Sequence, residues 1–224
     1  MPIQENVLFA WSGGKDSALG LYETQRVRHK RKITLLTTLT KDYDRTNMHG
    51  VRRTLLEKQA QALGLDLEKV FISKKSSEKE YSSKMRQALE KYKNKGVSCV
   101  FFGDLFLEDV KKYREQRLGE VGMKAKFPLW KKNTTEVAFR FIKLKFKAVV
   151  ICVDTTLLDK KFAGRTFDEK FLSELPATVD PAGENGEFHT FVYDGPSFAY
   201  PINFKKGESV LRDKRFFFLD LLPV

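Results

Sequence analysis

The residues best suited to chemistry lie side by side: Ser12-Gly13-Gly14-Lys15-Asp16-Ser17, a compact polar loop between an apolar stretch, Val7 to Trp11, and a helical pattern that starts at Asp16. Two glycines let backbone N–H groups approach an anion with no Cβ in the way. Two hydroxyls can donate to its oxygens, and Lys15 supplies positive charge. A strand feeding such a loop and then a helix sets the positive end of the helix dipole against the anion. The chemistry is that of gripping a phosphate chain. Asp16 would repel phosphate alone, so it reads either as the cap of the helix or as an indirect partner of Mg2+ that joins carboxylate to phosphate. A Walker A loop would need glycine where Phe9 stands and Ser or Thr where Asp16 stands, and no GxGxxG is present.

Three further groups could complete a site. Gly103-Asp104 ends an apolar run; Asp104 could hold Mg2+ or orient an acceptor, with a helix cap as the alternative. Arg114 could grip a carboxylate or a phosphate, or be an exposed helical arginine. Glu184-Asn185-Gly186-Glu187-Phe188-His189-Thr190 combines two carboxylates, an amide and an imidazole beside glycines, which suits recognition of a polar substrate. Glu187 or His189 could act as a base or bind ammonia, against the alternative of side chains facing water. Met48-His49-Gly50-Val51-Arg52 follows the second strand, where an adenine or acceptor pocket would close, and His49 is the binding candidate there.

Positioning these residues requires alternating elements. Val7 to Trp11, Ile33 to Leu39, Lys69 to Ile72, Val97 to Gly103 and Lys147 to Val153 read as five strands. Between them Asp16 to Arg28, Val51 to Leu63, Ser77 to Tyr92, Leu107 to Val121 and Thr134 to Leu144 carry apolar residues at helical spacing, with Gly64 and Gly96 as helix stops. The pattern is α/β: an open, doubly wound, parallel five-stranded sheet over 1–155 as the nucleotide-binding domain. From 156 to 224 the rhythm changes to a small mixed α/β subdomain that would bind substrate. It has a short helix over Phe167 to Leu175, antiparallel segments Phe188 to Tyr193, Glu208 to Leu211 and Arg215 to Leu221, and a turn at Asp213-Lys214.

Composition sets the bounds. A net charge of +12, from 41 basic and 29 acidic residues, suits an anionic partner such as ATP, RNA or an acidic protein. The basic pairs, from Lys30-Arg31-Lys32 to Lys160-Lys161, are scattered over expected helix faces and turns, so nucleic acid is not the favoured partner. Cys99 and Cys152 sit inside apolar runs as buried hydrophobes, and His29, His49 and His189 are too dispersed for a zinc site. No apolar run reaches membrane-spanning length and the N-terminus lacks a signal-peptide pattern, so a cytoplasmic protein with no membrane partner is expected. Phe216 to Phe218 would serve a homodimer interface or the edge of a sheet core equally well.

Ser-Gly-Gly-Lys-Asp-Ser resembles the SGGxDS signature of the PP-loop, or N-type, ATP pyrophosphatases. Gly103 to Glu108, Arg114, Phe127-Pro128-Leu129-Trp130, Asp180 to Phe191 and Asp194-Gly195-Pro196 narrow the resemblance to the diphthine ammonia ligase family and its bacterial relatives, the adenine nucleotide alpha hydrolase-like proteins. It covers nearly the whole chain. It implies a sheet of the adenine nucleotide alpha hydrolase (HUP) kind, with Ser12 to Ser17 and Gly103 holding ATP and with Asp16 and Asp104 meeting Mg2+. It also implies Lys15, Asp104 and Glu187 at the chemistry, and His49, Arg114, Glu184, Asn185, Gly186 and His189 around the acceptor. The implied reaction cleaves ATP to AMP and pyrophosphate, adenylates a carboxylate on a small molecule or protein, and amidates it with ammonia. Anchoring the β- and γ-phosphates leaves the α-phosphorus free for that attack. Ala182 stands where bacterial relatives often carry cysteine, so no thiol is required there. RNA modification by an adenylating enzyme and a nucleotide sensor without turnover are the other readings; the absence of a CxxC pair counts against a thiolating enzyme.

Overall fold

The computed structural model describes residues 5–27, 31–46 and 49–224. His29, Lys30, Arg28 and Met48, each part of an expectation above, lie outside the described residues. β1 (Glu5–Ala10), β2 (Arg31–Thr40), β4 (Asp66–Ile72), β5 (Cys99–Phe101) and β6 (Lys124–Lys126) are mutually parallel, in the order β4-β2-β1-β5-β6. β3 (Arg45–Thr46) adds an antiparallel rung to the end of β2. The connecting helices are α1 (Lys15–Gln25), α2 (Arg53–Leu63), α3 (Glu78–Lys93) and α4 (Glu108–Gly119).

Alternation along β1 explains why both faces of this sheet are covered. Val7 and Phe9 point into one core with Leu19 and Leu21 of α1 and Leu55 and Leu56 of α2. Leu8 points into another with Ala88 and Leu89 of α3 and Leu118 of α4. The sheet is therefore doubly wound, as expected, with its first two helices on one side and the next two on the other. Gly64 closes α2 at φ 65 in the left-handed conformation that a β-carbon disfavours.

One strand assignment is corrected. β7 (Lys147–Asp154), expected as the fifth parallel strand, belongs to a second, antiparallel sheet with β8 (Phe188–Asp194), β10 (Phe216–Pro223) and β9 (Phe204–Arg212), in the order β8-β7-β10-β9. Seven of its eight residues are buried. An antiparallel strand in mid-sheet, covered on both faces, carries the same continuous apolar run as a parallel one. The true fifth strand, β6, is Lys-Ala-Lys, with no apolar run to announce it. The second sheet packs with α5 (Thr134–Lys143) and α6 (Glu169–Ser173) into the same core as β1, α1 and α2. At the β9–β10 turn both Asp213 and Lys214 take φ 52, the left-handed pair a tight hairpin needs. Asp220 of β10 binds Arg45 and Arg52 at 2.6 Å each, tying the hairpin to the first sheet. Burial raises the Asp220 carboxyl, but the two guanidiniums outweigh it and hold the group well below the usual carboxylate range.

Candidate active site

The Ser12–Ser17 loop lies at the carboxyl end of β1, where α1 begins. Gly13 has φ +81, and a Cβ there would stand 2.8 Å from both Gln59 Oε1 and Leu56 Cδ2. Gly14 is the N-cap residue of α1, and no side chain caps that helix. The capping role expected as one option for Asp16 is thus corrected: the carboxylate sits one residue inside the helix and meets Lys15 Nζ at 2.7 Å through both oxygens. The hydroxyls brace the loop. Gly14 N donates to Ser12 Oγ at 3.2 Å, and Ser17 Oγ donates to the Gly14 carbonyl at 2.8 Å. Lys15 is 4% exposed, and its ammonium lies 5.8 Å from the ring centres of both Phe167 and Phe188. Gly103 owes its identity to packing: a Cβ would come within 2.7 Å of the Asp16 carbonyl oxygen, so only glycine lets the end of β5 rest against the first turn of α1.

β8 closes the loop from the other side. Lys15 N donates to Thr190 Oγ1 at 3.0 Å, and Val192 N donates to the Gly13 carbonyl at 2.9 Å. Gln59, fully buried on α2, accepts from the Trp11 indole at 2.9 Å and donates to the carbonyls of Gly13 at 3.0 Å and Val192 at 2.6 Å. It locks the end of β1, the loop and β8 together. Sequence reasoning missed it. The signal was an amide on the apolar face of a helix, among Leu55, Leu56, Ala60 and Leu63.

Carboxylates gather across the cleft. Asp104 and Arg114 pair, with Arg114 Nη2 donating to Oδ1 at 3.0 Å. Arg114 Nε and Asp104 Oδ2 also lie 3.0 Å apart, but off the hydrogen-bond direction, which leaves both atoms buried without a bonded partner. Neither the cap alternative for Asp104 nor the exposed-helix alternative for Arg114 fits, since α4 is capped at Leu107 and Arg114 is part-buried over the Phe102 ring at 4.3 Å. Glu184 Oε1 accepts from Leu105 N at 2.8 Å. Burial, then the neighbouring Asp16, push its carboxyl up to about 7. Burial also raises Asp16, with Asp104 and Asp180 adding repulsion against the opposing pull of Lys15, although 29% of its side chain stays open to solvent. Glu187 is 2% exposed, so the water-facing alternative does not describe it. Its Oε1 accepts from Asp180 N at 3.0 Å and Asn185 Nδ2 at 3.1 Å, and Oε2 is buried without a partner.

His49 and His189 stack over the loop, ring centres 4.4 Å apart. Burial, then Lys15, bring His189 down to about 4; burial, then His189 and Lys15, take His49 well below its ordinary value. His189 is thus neutral at pH 7, and the same influences disfavour a proton on His49.

Two family profiles match end to end: the diphthamide synthase N-terminal domain over residues 5–125 and the diphthamide synthase C-terminal domain over residues 133–219. The chain belongs to the diphthamide synthase family. Among curated protein sequences none matches it. Its solved structural neighbours include the predicted subunit of a tRNA methyltransferase from Methanocaldococcus jannaschii, at 16% identity and TM-score 0.42, covering 67% of this chain and 78% of that one. Another is the U34-tRNA thiolase NcsA from Methanococcus maripaludis, solved with its [4Fe-4S] cluster, at 16% identity and TM-score 0.40, covering 63% of this chain and 58% of that one.

In this diphthamide synthase-family chain, the residues singled out in the sequence separate by what they touch. Lys15, Asp16, Thr190, His49 and His189 converge on the loop, and Glu184 feels the charges of Asp16, Lys15 and Asp104. Asn185 is exposed and Gly186 makes a turn at φ +87; neither is brought against the loop by any described contact. Among the described residues no three His, Cys, Asp or Glu side chains gather with metal-holding geometry. The unbonded Asp104 Oδ2 and the partly open Asp16 fit a Mg2+ ion that arrives with phosphates, an ion that keeps few protein ligands. A cavity of about 130 Å³ opens between α3 and α4, bounded by Ala10, Thr38 and Phe102 at the strand ends and by Tyr81, Tyr113 and Arg114. Sequence reasoning did not foresee it; its trace is the pair of tyrosines on facing helices. No helix among the described residues is long and apolar enough to cross a membrane.

Proposed function

We propose that this protein cleaves ATP to AMP and pyrophosphate, adenylates a carboxylate acceptor and passes the acyl group to ammonia. The observation that carries the reading is the phosphate loop itself, with Gly13 held at a positive φ that side chains disfavour, set at the carboxyl end of a central parallel strand beside a helix start. The pyrophosphate half of ATP would lie on Ser12 to Ser17. Ala10, two residues before the loop, borders the aromatic cavity, which would take the adenine.

In the first step a carboxylate oxygen attacks the α-phosphorus, the bond to the β-phosphate oxygen breaks, and its electron pair leaves with pyrophosphate. Lys15 offsets the charge on that leaving group. Mg2+, held through Asp16 and Asp104, would supply the remaining countercharge. In the second step ammonia attacks the acyl carbon, AMP departs with the C–O electron pair, and the nitrogen loses a proton. Glu184, whose carboxyl titrates near neutrality, is suited to take that proton. Glu187, bound to its own loop through Asp180 and Asn185, would position the segment that carries Glu184 and His189.

The test is chromatographic product analysis with Mg-ATP and ammonium, with and without a metabolite and protein extract, beside Lys15→Ala. Extract-dependent AMP and pyrophosphate that vanish in the variant support the reading. ADP as product, or tight ATP binding with no turnover under any condition, refutes it. Release that depends on RNA would instead favour nucleic-acid modification, to which the +12 charge lends itself.

A further inference from the structure

The phosphate loop has a single cationic side chain, and that side chain is already engaged. Lys15, its one lysine, already meets both oxygens of Asp16 at 2.7 Å, and its backbone N–H is taken by Thr190 Oγ1 at 3.0 Å. A polyphosphate chain settling there finds less free positive charge than the sequence promises. Beside it lies an imidazole with one buried nitrogen that makes no hydrogen bond. His49 Nδ1 is buried and has no partner, and this ring is so close to the loop that a Cβ on Gly14 would stand 3.3 Å from His49 Cε1 and 3.4 Å from Nδ1. Its other neighbour is the His189 ring at 4.4 Å.

We propose, on the reading that this loop takes ATP, that His49 grips the pyrophosphate end of the nucleotide. Its imidazole gains a proton from solvent as the phosphates dock, and it gives that proton to the pyrophosphate oxygen released when the bond to the α-phosphorus breaks. The proton balance closes: one is taken up on binding, and one leaves on the product.

The environment favours this switch. The titratable and charged groups that face His49 are His189 from β8 and Lys15 from α1, with the Thr190 carbonyl beside them. Burial, His189 and Lys15 all resist a proton on His49 while the cleft is empty, whereas the Thr190 carbonyl favours it. A phosphate chain carrying several negative charges reverses the balance, because an opposite charge within about 4–6 Å favours the charged form. His189, itself neutral, backs the ring without competing for the phosphate.

Calorimetric titration of the full chain with Mg-pyrophosphate at neutral pH, repeated in buffers of different ionisation enthalpy, measures the protons exchanged on binding. Wild-type protein is expected to take up about one proton per pyrophosphate, the complement of one imidazole. His49→Gln should abolish the uptake and weaken pyrophosphate roughly tenfold, the worth of one charge-assisted hydrogen bond, while AMP, which lacks the β- and γ-phosphates, binds as before. The wild-type measurement needs no variant and so is independent of folding. Binding of Mg-pyrophosphate without proton uptake, or uptake that persists in His49→Gln, overturns the clamp and leaves the nucleotide reading standing. Absence of binding by ATP, AMP and pyrophosphate alike overturns both.

Discussion

Replacing His189 with glutamine should change how stability responds to acid, by an amount the structure sets. The ring titrates near 4 in the folded chain, with burial the main cause, against about 6.5 when unfolded. For a base whose folded value is depressed, the unfolded chain binds the extra proton, so stability is lost as pH falls from 6.5 toward 4. At pH 5 the loss is RT ln[(1 + 10^1.5)/(1 + 10^−1)], about 2 kcal/mol, and at pH 7.5 it is close to zero. Glu184 works in the opposite sense. Its carboxyl is raised from 4.5 to about 7, so its contribution is fully present in acid and is lost as pH rises through that window. The wild-type curve alone therefore mixes these terms with those of other shifted groups such as His49 and Asp16, and the comparison with the variant isolates the one that depends on His189. Urea unfolding at pH 5 and 7.5 of wild type and His189→Gln should show that wild type loses about 2 kcal/mol more than the variant on acidification. Equal losses in the two proteins would mean that His189 is not held neutral by its setting.

Gln59→Leu keeps the volume but strands the Trp11 indole and the Val192 carbonyl; urea unfolding should show a loss of about 3 kcal/mol, and ATP affinity should fall with it. A loss below 1 kcal/mol would remove Gln59 as the lock of the loop. Gly103→Ala drives a methyl to 2.7 Å from the Asp16 carbonyl oxygen, so ATP binding measured by calorimetry should drop at least tenfold while far-ultraviolet dichroism stays unchanged; unaltered affinity would show that the first turn of α1 can shift without harm.

The phosphate loop was legible because its chemistry and its location are both local: six consecutive residues following an apolar strand. All four helices of the first sheet were legible too, since Leu55, Leu56, Ala60 and Leu63, for example, repeat at helical spacing. What the sequence withheld is long-range. That β7 pairs antiparallel with β8 and β10 depends on partners 35 or more residues onward, while its own letters read as a buried strand of either kind. β6 forms from Lys-Ala-Lys because β5 offers it an edge, with no hydrophobic signal of its own. For Glu187, expected at the chemistry, only the fold reveals that it is buried and holds Asp180 and Asn185.

The bond from Lys15 N to Thr190 Oγ1 spans 175 residues, and Gln59 reaches Val192 across 133. A loop written in the first twenty residues thus acquires its final shape only when the last quarter of the chain is present. During synthesis, the emerging N-terminal half carries the phosphate motif without the strand that braces it, and closing so long a loop delays that pairing. If the loop takes ATP as proposed, a nascent or truncated chain that retains every residue of the motif but stops short of Thr190 and Val192 is expected to ignore ATP.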